Sequence, residues 1–133
     1  MPPYNISHWS ETLEFLDVSG NLMTGTLSTE LGVLHKMRMM SLDENHFTST
    51  IPTELGRMGD SIQFLRFWRN DLSGTVPSEL GQLSGLLDLA MHENPLLSGI
   101  VPSEVCTTPQ RFLWFNCTSR LCGCGADFCP CSA

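Results

Sequence analysis

The sequence predicts an α/β solenoid, in which copies of one short unit stack on each other and a cysteine-rich segment closes the C-terminal end. Two observations support this prediction. Asparagine recurs at spacings of 24, 25 and 24 residues, at Asn21, Asn45, Asn70 and Asn94. Five of the six cysteines lie between positions 117 and 131, and the first 105 residues contain none. The two ends of the chain are therefore built differently.

Each asparagine follows a short run in which apolar residues alternate with other residues. In the first copy Leu16 and Val18 show this alternation, which predicts a short strand with one buried face. Such a strand is too short to be stable alone, so the copies are expected to pair in a parallel sheet over one continuous core. The matching apolar positions are Leu13, Leu16 and Val18, then Met37, Met40 and Leu42, then Ile62, Leu65 and Phe67, and finally Leu86, Leu89 and Met91.

Two further features of the unit have structural meaning. The amide of each asparagine is expected to bond backbone groups of adjacent turns, so that the asparagines form a structural ladder. A block such as Pro77-Ser78-Glu79-Leu80-Gly81 predicts one short helical turn. Proline fixes φ at the start of this turn, and glycine is expected to adopt the left-handed conformation at its end.

These blocks resemble the plant-type leucine-rich repeat family, whose unit runs L-x-x-L-x-L-x-x-N-x-L-x-G-x-I-P-x-x-L-G-x-L. The block Ser73-Gly74-Thr75-Val76-Pro77 shows the half that separates this class from other leucine-rich repeats. Ser28 departs from the pattern at a proline position, and Ser49 departs from it at a glycine position. The resemblance implies a right-handed superhelix with a parallel β-sheet on the concave face and short helical or 3-10 turns on the convex side. Within this family, the sequence is similar to receptor-like ectodomains and to polygalacturonase-inhibitor-type proteins.

The repeat register divides the chain. We expect the end of a truncated repeat at residues 1–12 and the cap at residues 106–133. Four leucine-rich repeats are expected between them, at residues 13–36, 37–61, 62–85 and 86–105. Because the first residues match the last third of a repeat, we expect a C-terminal fragment whose missing signal peptide says little about location. The uncapped first repeat would then permit end-to-end self-association.

The cysteines at the C-terminal end are expected to be paired. Cysteine-bearing caps are usual in extracellular members of the family, so the resemblance implies three disulfides and an extracellular or cell-surface location. The pairing stays open, with a bond between Cys106 and the tail preferred. The competing hypothesis is a zinc site formed by the last four cysteines. The C-x-C spacing of these cysteines disfavours tetrahedral zinc binding. We therefore expect no resident metal and no cofactor. The cysteines are Cys106, Cys117, Cys122, Cys124, Cys129 and Cys131. Sequons at Asn5 and Asn116 fit a secreted protein.

In this family the residues that flank the strand leucines point onto the concave face. Tryptophan and arginine are typical of binding hot spots, and acidic residues orient a basic or polyhydroxylated partner. The candidate binding residues are Phe64, Arg66, Trp68, Arg69, Asp43, Asp88, His92 and Trp114. The expected ligand is a protein, a peptide or an oligosaccharide. The same positions are equally compatible with solvated residues that bind nothing, in a structural or adhesive module.

Other functional classes find less support in the sequence. The formal charge of -7 argues against nucleic-acid binding, and no apolar run reaches the about 18 residues of a membrane span. No metalloprotease, nucleophile-elbow or nucleotide-binding motif is present, so a non-catalytic protein is expected. Hydroxyl residues also recur along one flank, and a regular ladder of them would suit ice binding, the least favoured hypothesis. They are Thr24, Thr26, Thr48, Thr50, Ser73 and Thr75.

Overall fold

The computed structural model of the chain describes residues 6–107 and 112–114, the last three by their backbone. Short strands alternate there with short helical turns, as the repeat predicts. The strands are β1 (Phe15–Asp17), β2 (Thr24–Thr26), β3 (Met39–Ser41), β4 (His46–Thr48), β5 (Phe64–Arg66), β6 (Ser73–Gly74), β7 (Asp88–Ala90), β8 (Leu96–Leu97) and β9 (Phe112–Trp114). The turns are 3-10 helices at Ile6–Trp9, Thr29–Val33, Thr53–Met58 and Ser78–Gln82, and the α-helix α1 at Ser103–Cys106.

The odd-numbered strands form one parallel sheet of five strands in the order β1-β3-β5-β7-β9. The middle residues of the strands are register partners across the whole sheet, and these are Leu16, Met40, Leu65, Leu89 and Leu113. Each strand therefore pairs with the strand one repeat away. The predicted α/β solenoid with a parallel sheet and 3-10 turns is confirmed.

The apolar core is complete from the second repeat onwards. The repeat leucines and their equivalents are at most 4% exposed there, and Met40, Leu65 and Leu89 are fully buried. Leu16 and Val18 of the first repeat are only half-buried. Among the described residues no strand pairs with the outer edge of β1, which leaves this end of the core less covered.

The repeat asparagines connect successive turns through hydrogen bonds. Asn70 Nδ2 donates to the carbonyl oxygens of Leu42 at 3.0 Å and Phe67 at 3.1 Å, and Asn70 Oδ1 accepts from the Phe47 amide at 3.0 Å. Asn45 and Asn94 have the same pattern one repeat earlier and later. Within the described residues, the partners of the exposed Asn21 are carbonyls of its own turn. The buried asparagines thus satisfy backbone groups that would otherwise lack partners.

The glycines at the ends of the helical turns have a different role from the predicted one. The prediction that they adopt the left-handed conformation is wrong, because Gly32, Gly56 and Gly81 do not have positive φ angles. A Cβ atom on Gly56 would collide with the carbonyl oxygen of Glu79 in the next turn, and the other two glycines face equivalent carbonyls. Glycine is required at these positions because the convex turns approach each other closely.

The flank strands differ from the regular hydroxyl ladder that the sequence suggests. Thr24 is the sequence equivalent of Thr48, but its partner across β2 and β4 is His46, and Thr26 pairs with Thr48. The flank strands are therefore displaced by two residues at this step. An isolated bridge joins Thr50 to Ser73 between the two flank sheets. The hydroxyl groups form staggered pairs because each strand is shifted relative to its neighbour.

The C-terminal end is described only in part. Cys106 ends α1, is half-buried and is disulfide-bonded. The other cysteines of the predicted cap, together with Asn5 and Asn116, lie outside the described residues, so the cap stays a prediction. None of the helices in the described ranges is long and apolar enough to cross a membrane.

Candidate functional site

The candidate site lies on the face of the five-stranded sheet opposite the core, which we call the concave face. Side chains that alternate with the buried leucines point to this face. The first row across the sheet is Phe15, Met39, Phe64 and Asp88, and the second is Asp17, Ser41, Arg66 and Ala90. Backbone hydrogen bonds continue the ladder beyond the strands, which gives a third row of Ser19, Asp43, Trp68 and His92. The candidate residues on β5 and β7, and those that directly follow β3, β5 and β7, are therefore close together.

Arg66 is fixed in place by Asp88 on the next strand. Its Nε and Nη2 atoms both donate to Asp88 Oδ2, at 2.9 and 2.8 Å. Its Cζ atom also lies 5.4 Å from the centroid of the Phe64 ring. The Asp88 side chain is only 11% exposed, which shields this ion pair from solvent. The Arg66 guanidinium is consequently committed to a partner within the protein.

Arg69 is held between two glutamates, one from the repeat before it and one from the repeat after it. Arg69 Nη1 donates to Glu44 Oε2 at 3.0 Å, and Arg69 Nε donates to Glu93 Oε2 at 2.8 Å. Both hydrogen bonds raise the pKa of Arg69, and the bond to Glu93 has the larger effect. All three residues have positive φ angles, of 53 to 55°. We call Glu44, Arg69 and Glu93 the rim triad; it carries one net negative charge.

The Trp68 ring is partly covered by its neighbours. It stacks on the His92 ring with a centroid distance of 5.3 Å and an interplanar angle of 4°, and the Arg69 Cζ atom lies 5.4 Å from its centroid. Trp68 and Phe64, both candidate binding residues, are half-buried. Their ring faces are in contact with His92, Arg69 and Arg66. The Trp114 side chain lies outside the described residues.

Asp43 and Asp17 are neighbouring carboxylates on the concave face. Asp43 is 7% exposed, and its Oδ1 atom has no hydrogen-bond partner among the described residues. Burial raises the pKa of Asp43, and the Asp17 charge acts in the same direction. Asp17 is exposed, and its Oδ1 atom accepts from the hydroxyl and the amide of Ser19 at 2.6 and 3.0 Å, which lowers the pKa of Asp17. Within the described part of the chain, neither carboxylate has a salt bridge.

Sequence reasoning did not include Glu44 among the candidate residues. The signal was present, because Glu44, Arg69 and Glu93 each immediately precede a repeat asparagine and alternate in charge. Residues at one repeat position become neighbours when the repeats stack. No group of three or more metal-ligating side chains is found in the residues that the structure describes.

The comparison with known families decides the identity of the repeat. A family model described as Leucine Rich Repeat matches residues 12–34 and 61–83. The chain contains leucine-rich repeats at these positions. Its matched segments contain β1 and β5, the strands on which much of the concave face is built.

Solved structures show that the chain is similar to plant receptor ectodomains. A plant peptide hormone receptor, RGFR1 in complex with RGF2, is 31% identical, with a TM-score of 0.77 over 85% of this chain and 18% of the receptor chain. The ectodomain of the receptor kinase GASSHO1/SCHENGEN3 from Arabidopsis thaliana, in complex with CASPARIAN STRIP INTEGRITY FACTOR 2, is 30% identical. Its TM-score is 0.74, and the match covers 84% of this chain and 13% of that one.

A third similar structure is of a different functional kind. A plant ice-binding protein is 26% identical, with a TM-score of 0.78 over 86% of this chain and 36% of that chain. The leucine-rich repeat chain thus spans less than two fifths of each of these three structures. Among curated proteins, none matches the chain.

Proposed function

We propose that the chain is an extracellular, non-catalytic recognition module that binds a peptide or protein ligand on its concave face. The observation that carries the proposal is the fixed array of aromatic and charged side chains across β3, β5 and β7. Arg66 is locked by Asp88, Arg69 is locked by two glutamates, and Trp68 is stacked on His92. Ordered side chains lose little conformational entropy when a ligand binds, which favours affinity.

The similar structures support the same class of function. Two of them are plant receptor ectodomains in complex with RGF2 and with CASPARIAN STRIP INTEGRITY FACTOR 2. Leucine-rich repeat receptor ectodomains are recognition modules without a catalytic centre, and receptor ectodomains lie outside the cell. The present chain has the same repeat architecture over most of its length. An extracellular ligand-recognition role follows from this likeness as the simplest proposal.

A binding screen with matched arginine variants tests the proposal. The immobilised chain is exposed to secreted peptides and to cell-wall oligosaccharides, and binding is measured by biolayer interferometry. Arg69→Ala removes a concave-face residue, whereas Arg57→Ala removes an exposed arginine of the 3-10 helix Thr53–Met58. We expect saturable binding that Arg69→Ala weakens about tenfold and Arg57→Ala leaves within about twofold. Weak, non-saturable binding that both variants share would instead support the structural or adhesive module.

Ice binding is the second candidate, because a plant ice-binding protein is among the similar structures. Exposed threonines on the flank strands, such as Thr26, Thr48 and Thr50, would supply the hydroxyl groups. The displacement of two residues between β2 and β4 counts against a flat, regular lattice. A thermal hysteresis measurement decides between ice binding and ligand recognition. If the chain shows thermal hysteresis that Thr48→Lys abolishes and Arg69→Ala leaves intact, ice binding replaces the recognition proposal. Unshaped ice crystals would remove ice binding.

A further inference from the structure

The concave face contains two carboxylates that form no salt bridge among the described residues. Asp17 and Asp43, which we call the acidic pair, lie on adjacent strands, since Asp17 is the register partner of Ser41 and Asp43 follows Ser41 by two residues. Asp17 and Asp43 are thus diagonal neighbours, about 7–8 Å apart, which is within reach of one long side chain. Asp17 acts on the ionisation of Asp43 through its charge, as expected for such proximity.

The nearby cations are already committed to other carboxylates. Arg66 lies in the same row as Asp17, but its guanidinium donates both hydrogen bonds to Asp88. Arg69 is bonded to Glu44 and Glu93. The rim triad therefore has its own excess of one negative charge and cannot neutralise the acidic pair.

A carboxylate buried in this way is costly for the free protein. Asp43 is more than nine-tenths buried, and its Oδ1 atom lacks a hydrogen-bond donor in the described part of the structure. Leaving such an atom unpaired costs about 1–3 kcal/mol. A cation bound at the surface beside Asp43 would lower this cost through its charge, because electrostatic attraction strengthens where water is excluded. Exposed Asp17 provides the point of first contact, and Asp43 provides the desolvated partner.

We propose that Asp17 and Asp43 form the subsite of the concave face that receives a basic side chain, so that the ligand is a peptide segment carrying arginine or lysine. This inference rests on the proposed recognition function and names its ligand class. A planar guanidinium can bridge two carboxylates with separate hydrogen bonds, and arginine is therefore the better fit.

An NMR titration with two synthetic peptides tests the subsite. Both are glycine-serine octapeptides; one carries a central arginine, and the other carries citrulline, its uncharged isostere. The 15N-labelled full chain is expected to show chemical-shift changes at residues 15–20 and 39–45 with the arginine peptide only. Changes of equal size with both peptides, or changes scattered over the molecule, would overturn the proposal.

Isosteric variants separate the subsite from the general acidity of the protein. Asp17→Asn and Asp43→Asn are each expected to weaken binding of the arginine peptide about fivefold. Asp60→Asn removes the same charge from an exposed position outside the concave rows and should change the affinity by less than about twofold. Equal losses of affinity in all three variants would show that the net charge of the protein causes the binding, and this result would overturn the proposal. Asp17 is exposed, so its variant keeps the test valid if Asp43→Asn alters folding.

The failure of this inference differs from the failure of the proposed function. If a ligand from the binding screen depends on Arg69 but binds Asp17→Asn and Asp43→Asn normally, the concave face recognises ligands and the acidic pair is not the subsite. If neither the screen nor the arginine peptide gives saturable binding, the recognition proposal fails, and the subsite fails with it.

Discussion

At the scale of single residues, identical sequence signals lie in different environments. The asparagines at 21 and 70 occupy the same repeat position, yet Asn70 is buried and Asn21 is exposed. Asn70 bonds backbone groups of two turns, whereas the partners of Asn21 among the described residues belong to its own turn. The repeat pattern identifies both positions, and only the stacking of neighbouring turns decides how much each contributes to stability.

This difference predicts unequal effects of alanine at the two positions. Asn70→Ala leaves the Phe47 amide and the Leu42 carbonyl without their side-chain partner in a buried place. We expect a loss of about 2–4 kcal/mol in the free energy of unfolding, measured by urea denaturation. Asn21→Ala is the matched control and should cost less than about 1 kcal/mol. Similar losses in the two variants would contradict the role assigned to the buried hydrogen bonds.

Asp43 predicts a stability that depends on pH. Burial raises its pKa above the ordinary value of 3.8, with the Asp17 charge adding to this and Ser41 and Arg66 opposing it. The favourable contribution of the protonated form is complete below the unfolded pKa and is lost as the pH rises through the folded pKa. Asp43→Asn should therefore raise the free energy of unfolding at pH 7. This difference from the unchanged protein should disappear as the pH falls and Asp43 becomes protonated.

Asp17→Asn provides the comparison of opposite sign. Hydrogen bonds from Ser19 lower the pKa of Asp17, so its carboxylate stabilises the fold above the ordinary pKa. Asp17→Asn should thus lower the stability at pH 7. Thermal unfolding of both variants between pH 3 and pH 7 checks these directions, and a stabilising Asp17→Asn would contradict them.

At the scale of elements, the sequence predicted the strands and turns because their apolar periodicity is local. It could not predict why glycine is required in the 3-10 helices Thr29–Val33, Thr53–Met58 and Ser78–Gln82. The constraint on Gly56 comes from the Glu79 carbonyl, which belongs to the next repeat. The burial of Asp43 and the stack of Trp68 on His92 could not be predicted for the same reason, since burial and ring contacts depend on side chains one repeat away. The family pattern placed these residues on one face, and their partners were visible only in three dimensions.

The close approach of the convex turns gives a prediction at this scale. Gly56→Ala forces the 3-10 helix Ser78–Gln82 away from its neighbour, and overpacking of this kind costs about 1–3 kcal/mol. Gln82→Ala alters an exposed residue of the same turn and should cost less than about 0.5 kcal/mol. Urea denaturation of the two variants compares them. A Gly56→Ala protein as stable as Gln82→Ala would show that the turns can separate freely.

At the scale of the whole molecule, burial increases from the first repeat to the third. Leu16 is half-buried, while its register partners Met40 and Leu65 are fully buried. The Val18 side chain is half-buried too, and its equivalent Phe67 is fully buried. Local stability in a protein follows this kind of packing. The described solenoid is therefore weakest at β1.

Hydrogen exchange measures this gradient directly. The amides of Phe15–Asp17 in β1 are expected to exchange faster than those of Phe64–Arg66 in β5, because β5 is paired on both sides and covers a complete core. The rates are read by NMR or by mass spectrometry of the whole chain in deuterated buffer. Equal protection of the two strands would show that the first repeat is as stable as the interior.

The pairing of each strand with the strand one repeat away also bears on how the chain folds. Every step of the five-stranded sheet joins residues that are 24 or 25 positions apart in the sequence. The chain never has to bring together distant segments before it gains contacts, so the entropy lost on closing each loop is nearly the same at every step. Folding can begin wherever two adjacent repeats first meet, and the fully buried second and third repeats are the favoured place. We expect growth to proceed outward one repeat at a time, with β1 joining late.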